Sequence, residues 1–332
     1  MTITEREGGI SLKRRLAALL TAVLMLLGML PLSGCGGSGD NTPNYPVEVS
    51  GVKFVSPPSK IVCFSSTLIG VIYEMGFEKQ LIGRTKDCYY SEAEDVKAFG
   101  TADSPSIDLI KGNHVDVVVT DETMPQTEID KIQAENVPVV VIPKATGRAS
   151  LADMYAALGC VFQGGNKGYH AGRKVANRIL AQLDDISRMV ENEEVWNTCI
   201  IVSSDLSKFA TGDTLISSVL ECVGGFNVAK DSSNGEYSLP DMMRSDPDVI
   251  ICPLGVNQQL RANSSLVGVP AMDNYRVYTM DMSVFDDQYD GVVKGAWRMA
   301  YILHPEVITQ DVVPEGMLEE TAEEDEDGVF VD

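Results

Sequence analysis

The chain has 332 residues, 44% of them hydrophobic, with 26 Lys and Arg against 48 Asp and Glu, for a formal net charge of −22. So acidic a protein argues against nucleic acid or an anionic membrane face as partner, although at physiological salt the charge acts only over about 8 Å. The length suits one large or two small domains with a substantial core.

Lys13, Arg14 and Arg15 precede an apolar run from Leu16 to Leu32 that ends in Leu32-Ser33-Gly34-Cys35. A basic region, an apolar core and small residues before a cut site predict a secretory signal over residues 1–34. At about 17 residues, the run is short for a permanent membrane span. Leu32 to Cys35 resembles the bacterial lipobox. That resemblance implies lipidation of Cys35 and a mature chain anchored at the extracytoplasmic face of the cell membrane. Gly, Ser, Asn and Pro then predict a flexible tether over residues 35–49.

Residues 50–149 alternate strand and helix signals. Lys60 to Phe64 is a short apolar run, and a helix from Thr67 to Met75 stops at Gly76. Leu81 to Gly83 is a second strand, followed by a Tyr-containing loop. Ser106 caps a short helix to Lys111. Val115 to Thr120 is nearly all apolar, as a parallel strand covered on both faces should be. A helix from Glu128 to Glu135 and a strand from Val137 to Ile142 complete an α/β lobe with a parallel sheet.

The connecting segment, residues 150–192, carries the longest helical pattern beyond the N-terminus. Ala171, Val175, Ile179, Leu180, Leu183, Ile186 and Met189 form one apolar face. A helix from Lys167 to Val190 would run about 35 Å, enough to cross two lobes; an ordinary packing helix is the plainer alternative. Residues 193–308 then repeat the α/β pattern. Strands are expected at Thr198–Val202, Val249–Cys252 and Arg276–Met280, with helices at Asp213–Cys222, Leu239–Arg244 and Gly291–Leu303. Gly224-Gly225 reads as a helix stop. The expected fold class is therefore α/β: two parallel-sheet lobes joined by one long helix, with a ligand cleft where the strand C-termini face each other. Residues 309–332 form an acidic tail expected to be disordered, because Asp311 to Asp332 holds ten acidic residues and no Lys or Arg.

Several stretches resemble the iron-chelate and cobalamin substrate-binding proteins of ABC importers. They are Ile61 to Thr85, Gly100-Thr101 with Ser106 to Ile110, Val115 to Val118, Ala210 to Gly212, Leu220 to Asp231, Asp246 to Ile251, and Leu303 to Glu306. The resemblance runs in family order over about residues 50–308. It implies two rigid lobes, a connecting helix, a metal chelate in the cleft and an ABC permease as partner. There are departures. Where the family often has proline and, four positions on, an acidic residue, this chain has Ser66 and Gly70. The glutamates with which members dock on the permease are replaced by Lys97 and Pro240. Glu94, Asp95 and Asp241 lie close and are the substitute docking candidates.

A bulky chelate needs a broad apolar face and a few orienting polar groups. The strand-end loops offer Ser65, Ser66, Tyr89, Tyr90, Asp121 and Glu122 in the first lobe, and Phe209, Ser283 and Phe285 in the second. Tyrosine and phenylalanine bring rigid apolar area, and a deprotonated phenol can ligate ferric iron; a tyrosine pair in a loop also packs without any ligand role. Phe209 is singled out because it matches a family cleft position. His114, His170 and His304 are scattered, which argues against an imidazole-rich metal site. Asp286, Asp287 and Asp290 read as a loop with a helix cap before a hard-cation site. Cys63, Cys199 and Cys252 sit in strand runs as small core residues, and disulfide pairing stays open. No GxSxG, phosphate loop or HExxH motif points to an enzyme.

The sequence therefore predicts a monomeric, non-enzymatic binding lipoprotein with no intrinsic cofactor. It would capture a ferric siderophore, haem or cobalamin for an ABC importer, while the rival is a surface sensor or interaction lipoprotein without transport.

Overall fold

Short runs of valine and isoleucine build two separate four-stranded sheets, one before and one after a helical pair in the chain. The computed structural model describes residues 44–318. The predicted signal over 1–34, Cys35, the start of the tether and the tail from residue 319 lie outside the described residues.

The tether expectation fails at its C-terminal end. Val47–Val49 (β1) and Val52–Phe54 (β2) form an antiparallel hairpin, because Val49 and Phe54 find apolar neighbours in the main core. The first lobe follows with Ile61–Cys63 (β3), Ser66–Glu74 (α1) and Leu81–Arg84 (β4). A two-residue ladder joins Gly100–Thr101 (β5) to Ser104–Pro105 (β6). Ile107–Gly112 (α2), Val117–Thr120 (β7), Gln126–Ala134 (α3) and Val139–Val141 (β8) complete the lobe. Its sheet has the order β4-β3-β7-β8, parallel throughout.

The connecting segment is a helical pair. Arg148–Gln163 (α4) ends at Gly164, and Gly165–Val190 (α5) begins beyond it. Gly164 takes φ +79°, a conformation costly for any other residue, with the backbone of Asn44 against it. The long helix α5 buries Gly168, Gly172, Ala176, Ile179, Leu183, Ile186 and Val190. Ile179, Leu183 and Ile186 of the expected stripe are buried, and Val175 and Leu180 pack partly buried against the core. Met189 is 43% exposed, while Gly168, Gly172 and Ala176 join the buried face. Small residues in the first half of the observed stripe let α4 pack closely; Gly168 and Gly172 lie against the backbone of Gly159 and Tyr155.

The second lobe contains Trp196–Ile200 (β9), Leu215–Cys222 (α6), Gly225–Asn227 (β10) and Leu239–Ser245 (α7). Val249–Cys252 (β11), Val256–Arg261 (α8), Pro270–Asp273 (α9), Val277–Thr279 (β12) and Asp290–Leu303 (α10) follow. Its order is β10-β9-β11-β12, again all parallel. Sequence periodicity missed β1, β2, β5, β6, β10, α8 and α9, all of them short.

Side-chain alternation divides the core into layers. Ile61, Val117 and Val119 on one sheet, and Val249 and Ile251 on the other, share a central cluster with α4, α5 and α10. Val62 and Val118 face a separate cluster on the far side of the first sheet. Ile250 and Cys252 do the same in the second lobe. Both sheets are therefore covered on both faces, as parallel sheets require. The C-terminal segment from residue 309 to 318, expected to be disordered, instead makes turns on the Thr309 carbonyl. It buries Val313 in the central cluster.

Candidate functional site

Ser65 starts α1 with φ −128° and ψ 121°, its hydroxyl accepting from the Leu68 amide at 3.3 Å. This cap fixes where the next two side chains point. Ser66 Oγ accepts from the Tyr89 amide at 3.0 Å and donates to Cys88 Sγ at 3.6 Å, fastening the loop after β4 onto α1. Thr67 Oγ1 and the Tyr89 hydroxyl both donate to the Asp286 carbonyl of the second lobe, at 2.8 and 2.7 Å. The two hydroxyls are 3.2 Å apart. Each has one proton, and both protons are committed to the same carbonyl.

Two residues further on, the lobes are clasped. Gln288, buried, accepts from the Ala145 amide at 2.7 Å and donates to the Ala145 carbonyl at 2.8 Å. Its own carbonyl receives the Tyr155 hydroxyl of α4 at 3.1 Å. Tyr289 packs edge-on to Tyr90, with ring centres 5.6 Å apart, and Tyr90 packs against Tyr73 at 5.0 Å. The Tyr289 ring lies where a Cβ on residue 70 would project. That contact leaves room only for glycine at position 70.

The charges here are mostly carboxylates. Asp121 is buried and holds the Thr123 amide and hydroxyl at 2.9 and 2.5 Å, with Lys144 Nζ at 3.7 Å. Glu122 is exposed and accepts from the Lys144 amide at 2.9 Å. Burial raises the Asp286 carboxyl above its ordinary value, opposed by Lys144. Burial pushes Asp287 up to about 6, against the amides of Tyr289 and Gly291 that it accepts from at 3.1 Å. The Tyr89 phenol is likewise pushed up to about 12 by burial. It is a proton donor across the neutral range, and the phenolate form considered from sequence is disfavoured there.

Of the predicted ligand residues, Ser65, Ser66, Tyr89, Asp121 and Glu122 gather at the strand ends of the first lobe. Tyr90 packs between Tyr73 and Tyr289. Phe209 does not reach the cleft: it is 1% exposed, set in the second-lobe core against Tyr237. The antiparallel bridge from Ile201 to Phe209 brings the chain back beside β9 there. Phe285 is also buried, its ring over Gly295 of α10. Ser283 is exposed on a 3-10 turn, its amide donating to Asp281. Thr67, Lys144, Gln288 and Tyr289 escaped the sequence reading, and Asp286 figures there only as part of a capped loop, since contacts between segments far apart in the chain leave no periodic signal. The Asp287 cap on α10 agrees with the helix-cap reading of that loop.

Glu94 and Asp95 are exposed beyond the 3-10 turn Ser91–Ala93. Asp241, at the start of α7, is engaged by Arg244 and Ser238. Among the described residues, no group of three or more His, Cys, Asp or Glu could hold a metal ion. His304 Nε2 meets the Val223 carbonyl at 2.9 Å, a structural contact. The six cysteines of the described region are free thiols, and no described helix is long and apolar enough to cross a membrane.

A cavity of about 180 Å³ is lined by Leu254, Met280, Asp281, Val284, Asp287 and Lys294, among others, and so shares residues with the inter-lobe loop. A larger one, about 490 Å³, is lined by Gln182, Arg188, Met189, Trp297 and Val312 among others and touches none of the strand-end loops. We assign the site by the strand-end geometry, because volume alone does not mark a binding face.

Residues 61–284 match the family described as periplasmic binding protein. A possible iron-binding periplasmic solute-binding protein from Staphylococcus epidermidis ATCC 12228 superposes with a TM-score of 0.66 at 16% identity, covering 75% of this chain and 100% of that one. The periplasmic vitamin B12 binding protein of Vibrio cholerae gives 0.61 at 15% identity, covering 76% and 99%. A periplasmic haem-binding protein from Roseiflexus sp. RS-1 gives 0.62 at 16% identity, covering 75% and 99%. No curated protein matches the sequence.

Proposed function

The chain belongs to the periplasmic binding protein family, and on that premise we propose that it captures a metal chelate outside the cytoplasm and delivers it to an ABC importer. Members are solute-binding proteins rather than enzymes, and the chain is one of them. Structural neighbours described as iron-, haem- and vitamin B12-binding proteins support a ferric siderophore, haem or cobalamin as ligand. The observation that carries the reading is the meeting of two parallel sheets at their strand-end loops, where Thr67 and Tyr89 of one lobe touch Asp286 of the other. In this reading Ser65, Ser66, Tyr89, Asp121 and Glu122 line one wall, and the loop of Ser283 and Asp286 the other.

Anchoring through a lipid on Cys35 and docking through Glu94 and Asp95 belong to the same proposal. Asp241 is the weaker docking candidate, since its carboxylate already holds Arg244. Lys97 and Pro240 at the usual docking places favour the rival, a surface sensor of the same fold. A thermal-shift panel of cobalamins, haem and ferric siderophores tests the reading. Ligand at about 100 times its Kd adds about 2.7 kcal/mol, a rise of about 5–10 °C for a protein of this size. A flat panel would reject chelate capture. Binding without import in a transport assay would favour the sensor.

A further inference from the structure

We propose that Asp87, Cys88 and Tyr89 form a flap that opens from the strand ends of the first lobe while the Gln288 clasp stays closed, so that the ligand enters by this local movement. The inference rests on the binding reading above and deepens it by naming the part that moves.

Three observations carry it. The first is how the segment is held. On one side of it the Gly100 carbonyl fixes the Lys86 amide at 2.6 Å. On the other, the Tyr90 ring packs between Tyr73 and Tyr289. Between these anchors Asp87 bonds its near neighbour Thr85. Ser66 holds the Tyr89 amide at 3.0 Å and the Cys88 thiol at 3.6 Å. The Tyr89 hydroxyl reaches Thr67 at 3.2 Å and the Asp286 carbonyl at 2.7 Å. Cys88 lies partly buried against the main core, so opening uncovers it.

The second is that release strands no buried group. Tyr89 is 53% exposed, so its freed hydroxyl and amide meet water. The Asp286 carbonyl keeps the Thr67 proton at 2.8 Å. Thr67, only 2% exposed with Tyr89 in place, then presents its hydroxyl beside that carbonyl, one group from each lobe.

The third is the contrast with the clasp. Ala145, Tyr155 and Gln288 are all buried. Parting them would strand the Ala145 amide and carbonyl and the Tyr155 hydroxyl, each at the desolvation cost of a buried polar group. Contacts of such unequal cost open separately, the cheaper one more often, and a flap on a fixed frame is a common route to a closed site.

The test starts with the full chain and no ligand. Alkylation by iodoacetamide, read at each cysteine by peptide mass spectrometry, follows the flap at Cys88 and the body of the lobe at the buried Cys63 of β3. Hydrogen exchange follows the clasp at the Ala145 amide. Tyr89→Phe removes one fastener and keeps the ring. It should speed alkylation of Cys88 by about fivefold or more and leave Cys63 and Ala145 within about twofold. Ser66→Ala, which removes the other fastener, should act in the same direction. An unchanged Cys88 rate in both variants, or a Cys63 or Ala145 rate that rises in step with it, overturns the flap. Stopped-flow mixing with haemin, cyanocobalamin and ferric desferrioxamine B then separates the flap from the binding reading. Faster association of Tyr89→Phe with a probe that binds the parent chain supports entry by this route, and an unchanged rate overturns it. If none of the three binds, chelate capture falls, while the alkylation rates still uphold or sink the flap.

Discussion

Replacing Gln288 by alanine should loosen one lobe from the other. The side chain closes two hydrogen bonds on the backbone of Ala145, at 2.7 and 2.8 Å, and both residues are buried. Each bond contributes about 1 kcal/mol net, and each buried backbone group left unpaired costs about 1–3 kcal/mol. Water entering the space recovers part of this, so a loss of about 2–4 kcal/mol is expected. At roughly 2–4 °C per kcal/mol for a protein of this size, Tm should fall by about 5–15 °C. Gln288→Glu is the control. Its carboxylate still accepts from the Ala145 amide but opposes the Ala145 carbonyl, so it should be at least as damaging at neutral pH. Calorimetry or urea denaturation reads the loss, and small-angle scattering reads the separation of the lobes. A loss under about 0.5 kcal/mol with an unchanged radius of gyration would refute the idea that this clasp sets the inter-lobe geometry.

Gly70→Ala should cost about 1–3 kcal/mol by overpacking, because the Tyr289 ring occupies the space; Tyr289→Leu should relieve much of it, and a neutral Gly70→Ala would show that the ring moves freely. Tyr89→Phe and Thr67→Val should each cost little alone, since the other hydroxyl still serves the Asp286 carbonyl. Together they should cost more than the sum in a double-mutant cycle, and strict additivity would argue against the shared acceptor. Asp287 should titrate near pH 6, raised by burial, in a carboxyl carbon-13 NMR titration. With its folded value above the unfolded one, its protonated form is favoured in the fold, so its contribution to stability falls as pH rises from about 4 to about 6. A midpoint near 4 would contradict the burial argument.

Much of the fold is legible in local pattern. Val115 to Thr120 and Val137 to Ile142 announce buried parallel strands, and the observed β7 and β8 sit within them. Ser106 caps its helix as expected, accepting from the Leu109 amide at 3.4 Å. The break at Gly164 was available in the Gly164-Gly165 pair but hidden inside an otherwise helical stretch. What enforces it is Asn44, far away in sequence, whose carbonyl takes the Gly165 amide at 2.7 Å. The candidate site divides in the same way. Ser65, Ser66 and Tyr89 follow strands in sequence and could be read from that position. Phe209 stands out by its match to a family cleft position and Phe285 by its aromatic ring, yet aromatic rings serve cores as readily as ligands, and both are buried. Thr67, Gln288 and Tyr289 matter because of partners more than a hundred residues away, which no local pattern records.

The most direct test of the central claim is hydrogen exchange on the full chain with and without a saturating chelate from the panel. The account predicts slower exchange at residues 65–68, 86–90 and 121–123 of the first lobe together with residues 281–289 of the second. Protection confined to one lobe, or gathered around the cavity between α5 and α10, would contradict binding between the lobes.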